Sequence, residues 1–157
     1  CLEKQDRNTA IIYRNYNTKI DINFIKKIKN FCKKNKLKFF LSNNIQLAIK
    51  LDLDGAYLPS FNKDNRHLSY SFKKSFLLIG SAHNRKEIRI KEKQRVKQIF
   101  LSSIFKKNKN YLGIKKYNLI VKLSKKRFIA LGGITKKNKR KLRLTNSDGF
   151  AGISYFE

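Results

Sequence analysis

Methionine and tryptophan are absent from this 157-residue sequence, proline occurs once, and ten acidic residues face 38 lysines and arginines. Each shortage excludes something. Without a methionine there is no initiator, and the chain opens on Cys1, so it reads as a fragment or a trimmed product. Two cysteines, Cys1 and Cys32, make no CxxC pair and no disulfide framework, which fits a reducing cytosol. The longest apolar run, Phe76 to Ile79, is far too short to span a membrane, and no secretory signal is visible. Two histidines without a nearby carboxylate pattern make no metal site.

The shortage of acid leaves a formal charge of +28. Such a charge suits a nucleic acid or another polyanion. The lysines, however, are scattered over nearly every expected helix face, with no arginine-rich tail, RNA-binding aromatic motif or zinc-finger spacing beside them. Lysine, isoleucine and asparagine are all abundant, so a compositional bias is the better reading and a nucleic-acid partner is disfavoured. The field would still draw anionic substrates.

What is present is enough apolar sequence, 41% of the chain, for one domain over residues 1–157. Ala10 to Tyr13 reads as a buried strand ending at Arg14. Asp21 then caps a helix whose Phe24, Ile25, Ile28, Phe31 and Cys32 share one face, with Cys32 in the core. Lys38 to Leu41 is a second strand, Ser42-Asn43-Asn44 a turn, and Ile45, Ala48 and Leu51 mark the next helix. Asp54-Gly55 turns into Ala56 to Leu58, closed by Pro59. A polar loop with a short helix leads to strand Phe76 to Gly80 and a highly charged helix. Gln98 to Leu101 is the fifth strand. The basic loop Lys106 to Asn110 precedes a helix carrying Ile114, Tyr117, Ile120 and Val121. Phe128 to Leu131, a lysine-rich helix with Leu142 and Leu144, and Phe150 to Ile153 complete the chain. Continuous apolar strands alternating with helices predict a parallel α/β fold. Seven repeats exceed a flavodoxin-like sheet, and a (β/α)8 TIM barrel lacking its first strand and helix accounts for the count.

The chain is organised around Phe128 to Thr135 and its echo, Asp148 to Ser154. Each is a short apolar strand running out into small residues. In the first, Gly132-Gly133 leads toward a helix start with Thr135 placed to cap it, an arrangement that aims backbone N–H groups and the helix dipole at a phosphate.

The order of Asp54-Gly55-Ala56-Tyr57-Leu58, Ile79 to Asn84, Ser102-Ser103-Ile104-Phe105, Ala130 to Thr135 and Asp148 to Ser154 resembles the thiamine-phosphate synthase/TenI family. The resemblance covers nearly all of Ala10 to Phe156 and implies a compact (β/α)8 barrel. It implies coupling of an aminopyrimidine pyrophosphate to a thiazole phosphate, with release of pyrophosphate and help from Mg2+. By position, the thiazole phosphate would meet Gly132, Gly133, Ile153 and Ser154. The pyrophosphate would meet Arg14 and Ser81. Read singly, these are packing glycines, strand-end serines and a surface arginine; read as a set at strand ends, they form a phosphate site.

The departures from the family pattern are as informative. Of the family's Q-x-R-x-K only Arg14 survives, and both metal carboxylates are replaced, by Asn43 and Asn62. Lys107 and Lys109 stand where the family has a Thr-x-Thr-Lys loop and keep positive charge there. Ser103 occupies the position of the histidine used by TenI-type tautomerases, which argues against that activity. His83 caps a helix and His67 lies in a variable loop. The resemblance therefore leaves two expectations: a divergent cytoplasmic synthase using Mg2+, or a non-catalytic TenI-like barrel that binds thiazole phosphate or thiamine phosphate. A basic nucleic-acid-associated protein ranks third, since it leaves the phosphate loops unexplained.

Overall fold

The structure, a computed structural model, describes residues 9–16 and 19–152. Among the described residues seven strands alternate with helical segments, and the chain forms two compact units, residues 1–78 and 79–157.

The first unit contains β1 (Ala10–Tyr13), α1 (Ile22–Lys34), β2 (Lys38–Ser42), α2 (Ile45–Lys50), β3 (Gly55–Leu58) and a 3-10 turn over Arg66–Ser69. β1 pairs with β2 and β2 with β3, all parallel. Asp21 caps α1 by accepting the Phe24 N–H at 3.0 Å. Ile25 and Cys32 are buried, Ile28 and Phe31 half-buried, and lysines take the outer face. Phe24 departs from the expected apolar face: it is exposed, and its ring lies 5.7 Å from that of Tyr13. Burial pushes the Cys32 thiol above its ordinary range, and Asp54 adds to the effect. The thiol is a core side chain.

The second unit is formed around β4 (Leu77–Ala82), α3 (Arg85–Lys93), β5 (Gln98–Ser102), α4 (Gly113–Val121), β6 (Arg127–Leu131), a 3-10 segment over Lys139–Leu144 and β7 (Gly149–Ala151). β4 to β7 pair in chain order, again all parallel. Ile99, Leu101, Phe128 and Ala130 fill the core, with Tyr117 and Ile120 of α4.

Each unit contains the same register clamp. Asp54 accepts the Phe39 N–H at 2.9 Å, and Gly55 pairs with Phe40. Asp148 accepts the Phe128 N–H at 3.0 Å, and Gly149 pairs with Ile129. An Asp-Gly step thus satisfies a strand-entry donor on the preceding strand while the glycine lets the backbones close up. A Cβ on Gly55 would lie 2.0 Å from the Leu77 carbonyl oxygen.

Two helix expectations are corrected. Thr135 caps no α-helix: residues 136–138 form turns, and only a 3-10 segment follows, from Lys139. Lys136, Lys137, Lys139, Arg140, Lys141 and Arg143 crowd like charge into this stretch. Its Leu144 is exposed, so no apolar face pulls it into a full helix. The α3 cap is Asn84, not His83: Asn84 accepts the Glu87 N–H at 3.0 Å. Glu87 reaches back to the His83 N–H at 2.7 Å and to its ring Nδ1 at 2.9 Å.

Candidate functional site

In the first unit, the chain leaving β2 turns sharply at Asn43, whose φ of 60° is a left-handed conformation that asparagine tolerates. Its N–H is held by the Tyr57 carbonyl at 2.8 Å. The chain leaving β3 passes Pro59 and brings Asn62 back, so that Asn62 Nδ2 donates to Asn43 Oδ1 at 2.7 Å across 19 residues. Asn62 Oδ1 accepts the Asp64 N–H at 2.9 Å. Asp64 in turn accepts the Arg66 N–H at 2.8 Å and Arg66 Nε at 2.6 Å. The Arg66 guanidinium holds the Asp64 carboxyl below the usual carboxylate range. Beside this relay, Tyr16 Oη lies 2.7 Å from Ser42 Oγ, and the Tyr16 ring meets Phe61 edge-on at 5.4 Å.

These side chains border a cleft of about 440 Å3, open to solvent, lined by Asn43, Asn44, Asn62, Asp64, His67 and Tyr70 among others. The two positions expected to replace metal carboxylates are therefore neighbours in space. Mg2+ takes six hard oxygens at about 2.0–2.1 Å, anionic ones above all. Here both amide oxygens accept hydrogen bonds and the nearest carboxylate is paired with arginine. Among the described residues no group of three or more His, Cys, Asp or Glu could hold a metal ion. The residues present do not fit Mg2+.

In the second unit, β6 ends in Gly132 and Gly133, with φ of 102° and 74°. Both conformations favour glycine. The step packs against the segment after β5: a Cβ on Gly132 would lie 2.6 Å from Ser103 Oγ, and one on Gly133 would lie 2.5 Å from the Lys106 nitrogen. The Gly132 carbonyl accepts from the Phe105 N–H at 2.9 Å, and the Leu131 carbonyl from Ile104 at 3.0 Å. Ser103 is buried, and its hydroxyl donates to the Lys106 carbonyl at 2.8 Å. Asn138 closes the other side, donating to the Gly133 carbonyl at 2.7 Å and accepting the Thr135 N–H at 2.9 Å. The helix-dipole part of the expected phosphate nest is therefore missing, while the glycine-only backbone is present.

Lys107 and Lys109 are exposed in the adjoining loop. Asn108 orders that loop, accepting the Asn110 N–H at 2.9 Å through its side chain and Tyr111 through its carbonyl. Arg14 follows β1 directly and is exposed; Ser81 lies buried in β4. Ile153 and Ser154, like Cys1, fall outside the described residues. The structure thus joins Asn43 to Asn62, and Gly132 and Gly133 to the base of the lysine loop. The Asn62–Asp64–Arg66 relay was missed from the sequence, although Asn62, Asp64 and Arg66 alternate as successive side-chain turns do. The Asn138 brace had no comparable signal.

Parallel strands alternating with helical segments, within each unit, define an α/β protein. The profile of the thiamine monophosphate synthase family matches residues 4–156, and the chain belongs to that family. It is 30% identical over 136 residues to a thiamine-phosphate synthase of Persephonella marina, a match covering 81% of this chain. The chain spans 63% of the length of that relative. The fold is similar to that of a thiamine phosphate pyrophosphorylase from Pyrococcus furiosus, with a TM-score of 0.75 at 24% identity over 93% of this chain and 73% of that one. A structure described as native KDPGal gives a TM-score of 0.65 at 11% identity, over 85% of this chain and 66% of the other. No helix among the described residues is long and apolar enough to cross a membrane.

Proposed function

We propose that this chain serves thiamine biosynthesis in the cytosol, as a thiamine-phosphate-synthase-type protein that joins an aminopyrimidine pyrophosphate to a thiazole phosphate. The observation that carries the reading is the Gly132-Gly133 step, two left-handed glycines at the end of β6 seated on the loop that bears Lys107 and Lys109. The same reading takes the seven parallel strands as those of a (β/α)8 barrel.

In this proposal Gly132, Gly133, Ile153 and Ser154 bind the thiazole phosphate. Backbone N–H groups do this work without a side chain between them and the anion. Arg14 and Ser81 are assigned to the pyrophosphate by resemblance. Lys107 and Lys109 supply positive charge to the departing pyrophosphate, which carries the negative charge that grows as the C–O bond to the pyrimidine methylene breaks. The bond formed is from that methylene carbon to the thiazole nitrogen, and no step is routed through a metal.

The Asn43–Asn62 bridge favours a second reading, in which the chain binds thiazole phosphate or thiamine phosphate without coupling. One incubation separates the two. The chain is mixed at high concentration with both substrates, and thiamine phosphate and pyrophosphate are quantified. Equal amounts of both, growing with time, are expected for the synthase. Saturable ligand binding with no product supports the second reading; neither product nor binding sinks both.

A further inference from the structure

We infer that the Asn43–Asn62 pair is a cation-free bridge: it makes with one hydrogen bond the connection that two carboxylates at these positions could make only by taking up a proton or around a cation. The inference concerns the cleft of the first unit and holds whether or not the chain couples its substrates.

Asn43 and Asn62 leave the ends of neighbouring parallel strands, and their side chains meet at 2.7 Å. The orientation of the Asn62 amide is fixed by chemistry. Its oxygen accepts the Asp64 N–H, so its nitrogen must face Asn43, whose oxygen accepts. Two carboxylates so close have no proton to share in that contact. One would be driven to protonate, or a cation would have to stand between them. An amide pair has the donor built in.

The next carboxylate along the chain cannot take up the role. Asp64 is engaged by the Arg66 backbone, Nε and terminal nitrogen together. A cation arriving here would have to break the amide bridge and the pair in which both Arg66 guanidinium nitrogens meet Asp64 Oδ2, and it would meet Arg66 positive charge at the rim. These two contacts, and not the loss of two ligands alone, close the cleft to divalent ions. Whatever anion it takes is held directly by N–H donors and cationic side chains.

Mn2+ serves as the probe, read by water-proton relaxation and by thermal melting in buffer with EDTA or with millimolar Mn2+ or Mg2+. The wild-type chain is expected to give no saturable Mn2+ binding and the same melting temperature with and without cation. Asn43→Asp with Asn62→Asp is expected to melt several degrees lower in EDTA and to recover in Mn2+. It should bind about one ion per chain with a dissociation constant at or below about 1 mM, the weak end of carboxylate sites. Asn43→Asp alone keeps an acceptor for Asn62 Nδ2 and is expected to behave like the wild type. Saturable Mn2+ binding by the wild-type chain would overturn the inference without the help of any variant. So would a folded double variant that is indifferent to Mn2+. None of these readouts uses turnover, so failure here leaves the proposed function standing, and the reverse also holds.

Discussion

Raising the pH from about 8 to about 9 is expected to stabilise this protein, against the usual alkaline decline. Lys91 on α3 is fully buried, its Nζ donating to Gln94 Oε1 at 2.8 Å. Burial pulls its pKa down to about 8, while Glu87 works in the opposite direction. A lysine whose folded pKa lies below its unfolded value of 10.5 favours the neutral form in the fold. Below pH 8 both states carry the proton and the full cost of burying charge is present. Between 8 and 10.5 the unfolded chain holds more protons than the native one, so stability rises by about 1.4 kcal/mol per pH unit at most.

Two buried groups set the upper limit of that rise. The Cys32 thiol, ordinarily near 9.0, is raised by burial, so from about pH 9 the unfolded thiol ionises first and offsets the Lys91 gain. Tyr117 is fully buried. Burial raises its pKa, the Ser147 hydroxyl offsets part of that, and Asp148 adds to it. Above about pH 10 the unfolded tyrosine ionises while the native one resists, and stability falls again. Denaturant titrations at intervals from pH 7 to 11 should therefore stop rising near about 9 and decline above about 10. Lys91→Met keeps the apolar stem and removes the titration, so its profile should lack the rise between about 8 and 9 and lie higher at pH 7. A variant profile parallel to the wild type would show that Lys91 is not the source.

Replacing Gly133 by alanine is expected to be costly in both stability and binding. Its φ of 74° is left-handed, which costs an L-residue about 1–2 kcal/mol. The new Cβ would also press on the Lys106 nitrogen from 2.5 Å, backbone against backbone, so the loop that carries Lys107 and Lys109 must move. Together these should remove about 3 kcal/mol, a fall of roughly 6–12 °C in melting temperature for a chain of this size. Affinity for thiazole phosphate should fall with it even well below the melting point, because the displaced loop packs on the glycine backbone proposed to bind the phosphate. Calorimetric titration at low temperature, on material verified as folded by circular dichroism, separates the two effects. Unchanged stability would contradict the packing described for Gly133. Unchanged affinity in a destabilised variant would leave the glycine a packing role and no part in binding.

The strands were legible because parallel strands buried on both faces leave unbroken apolar runs such as Phe39-Phe40-Leu41 and Phe128 to Leu131. The α1 face was legible for the same reason at the helical period, except for Phe24, which satisfies the pattern yet stays exposed beside Tyr13. Thr135 misled because a cap residue says nothing about whether the turn behind it can bear six basic side chains. The Asn84-x-x-Glu87 spacing is that of a capping box and marks the start of α3 in the sequence itself. Clamps and relays were harder. That Asp54 and Asp148 reach back to the preceding strand depends on register, which spacing alone does not set. The meeting of Asn43 with Asn62 was legible only through the resemblance, since nothing in two asparagines 19 residues apart announces contact.

Recognition of a thiazole phosphate through its phosphate group is decided by titrating the whole chain, in EDTA, with thiazole phosphate and with the same thiazole alcohol lacking the phosphate. Saturable one-to-one heat is expected for the phosphate ester, with at least about tenfold weaker binding for the alcohol, the loss of about 1.4 kcal/mol or more of anion recognition. Equal affinity for the two, or no saturable heat from either, would contradict it.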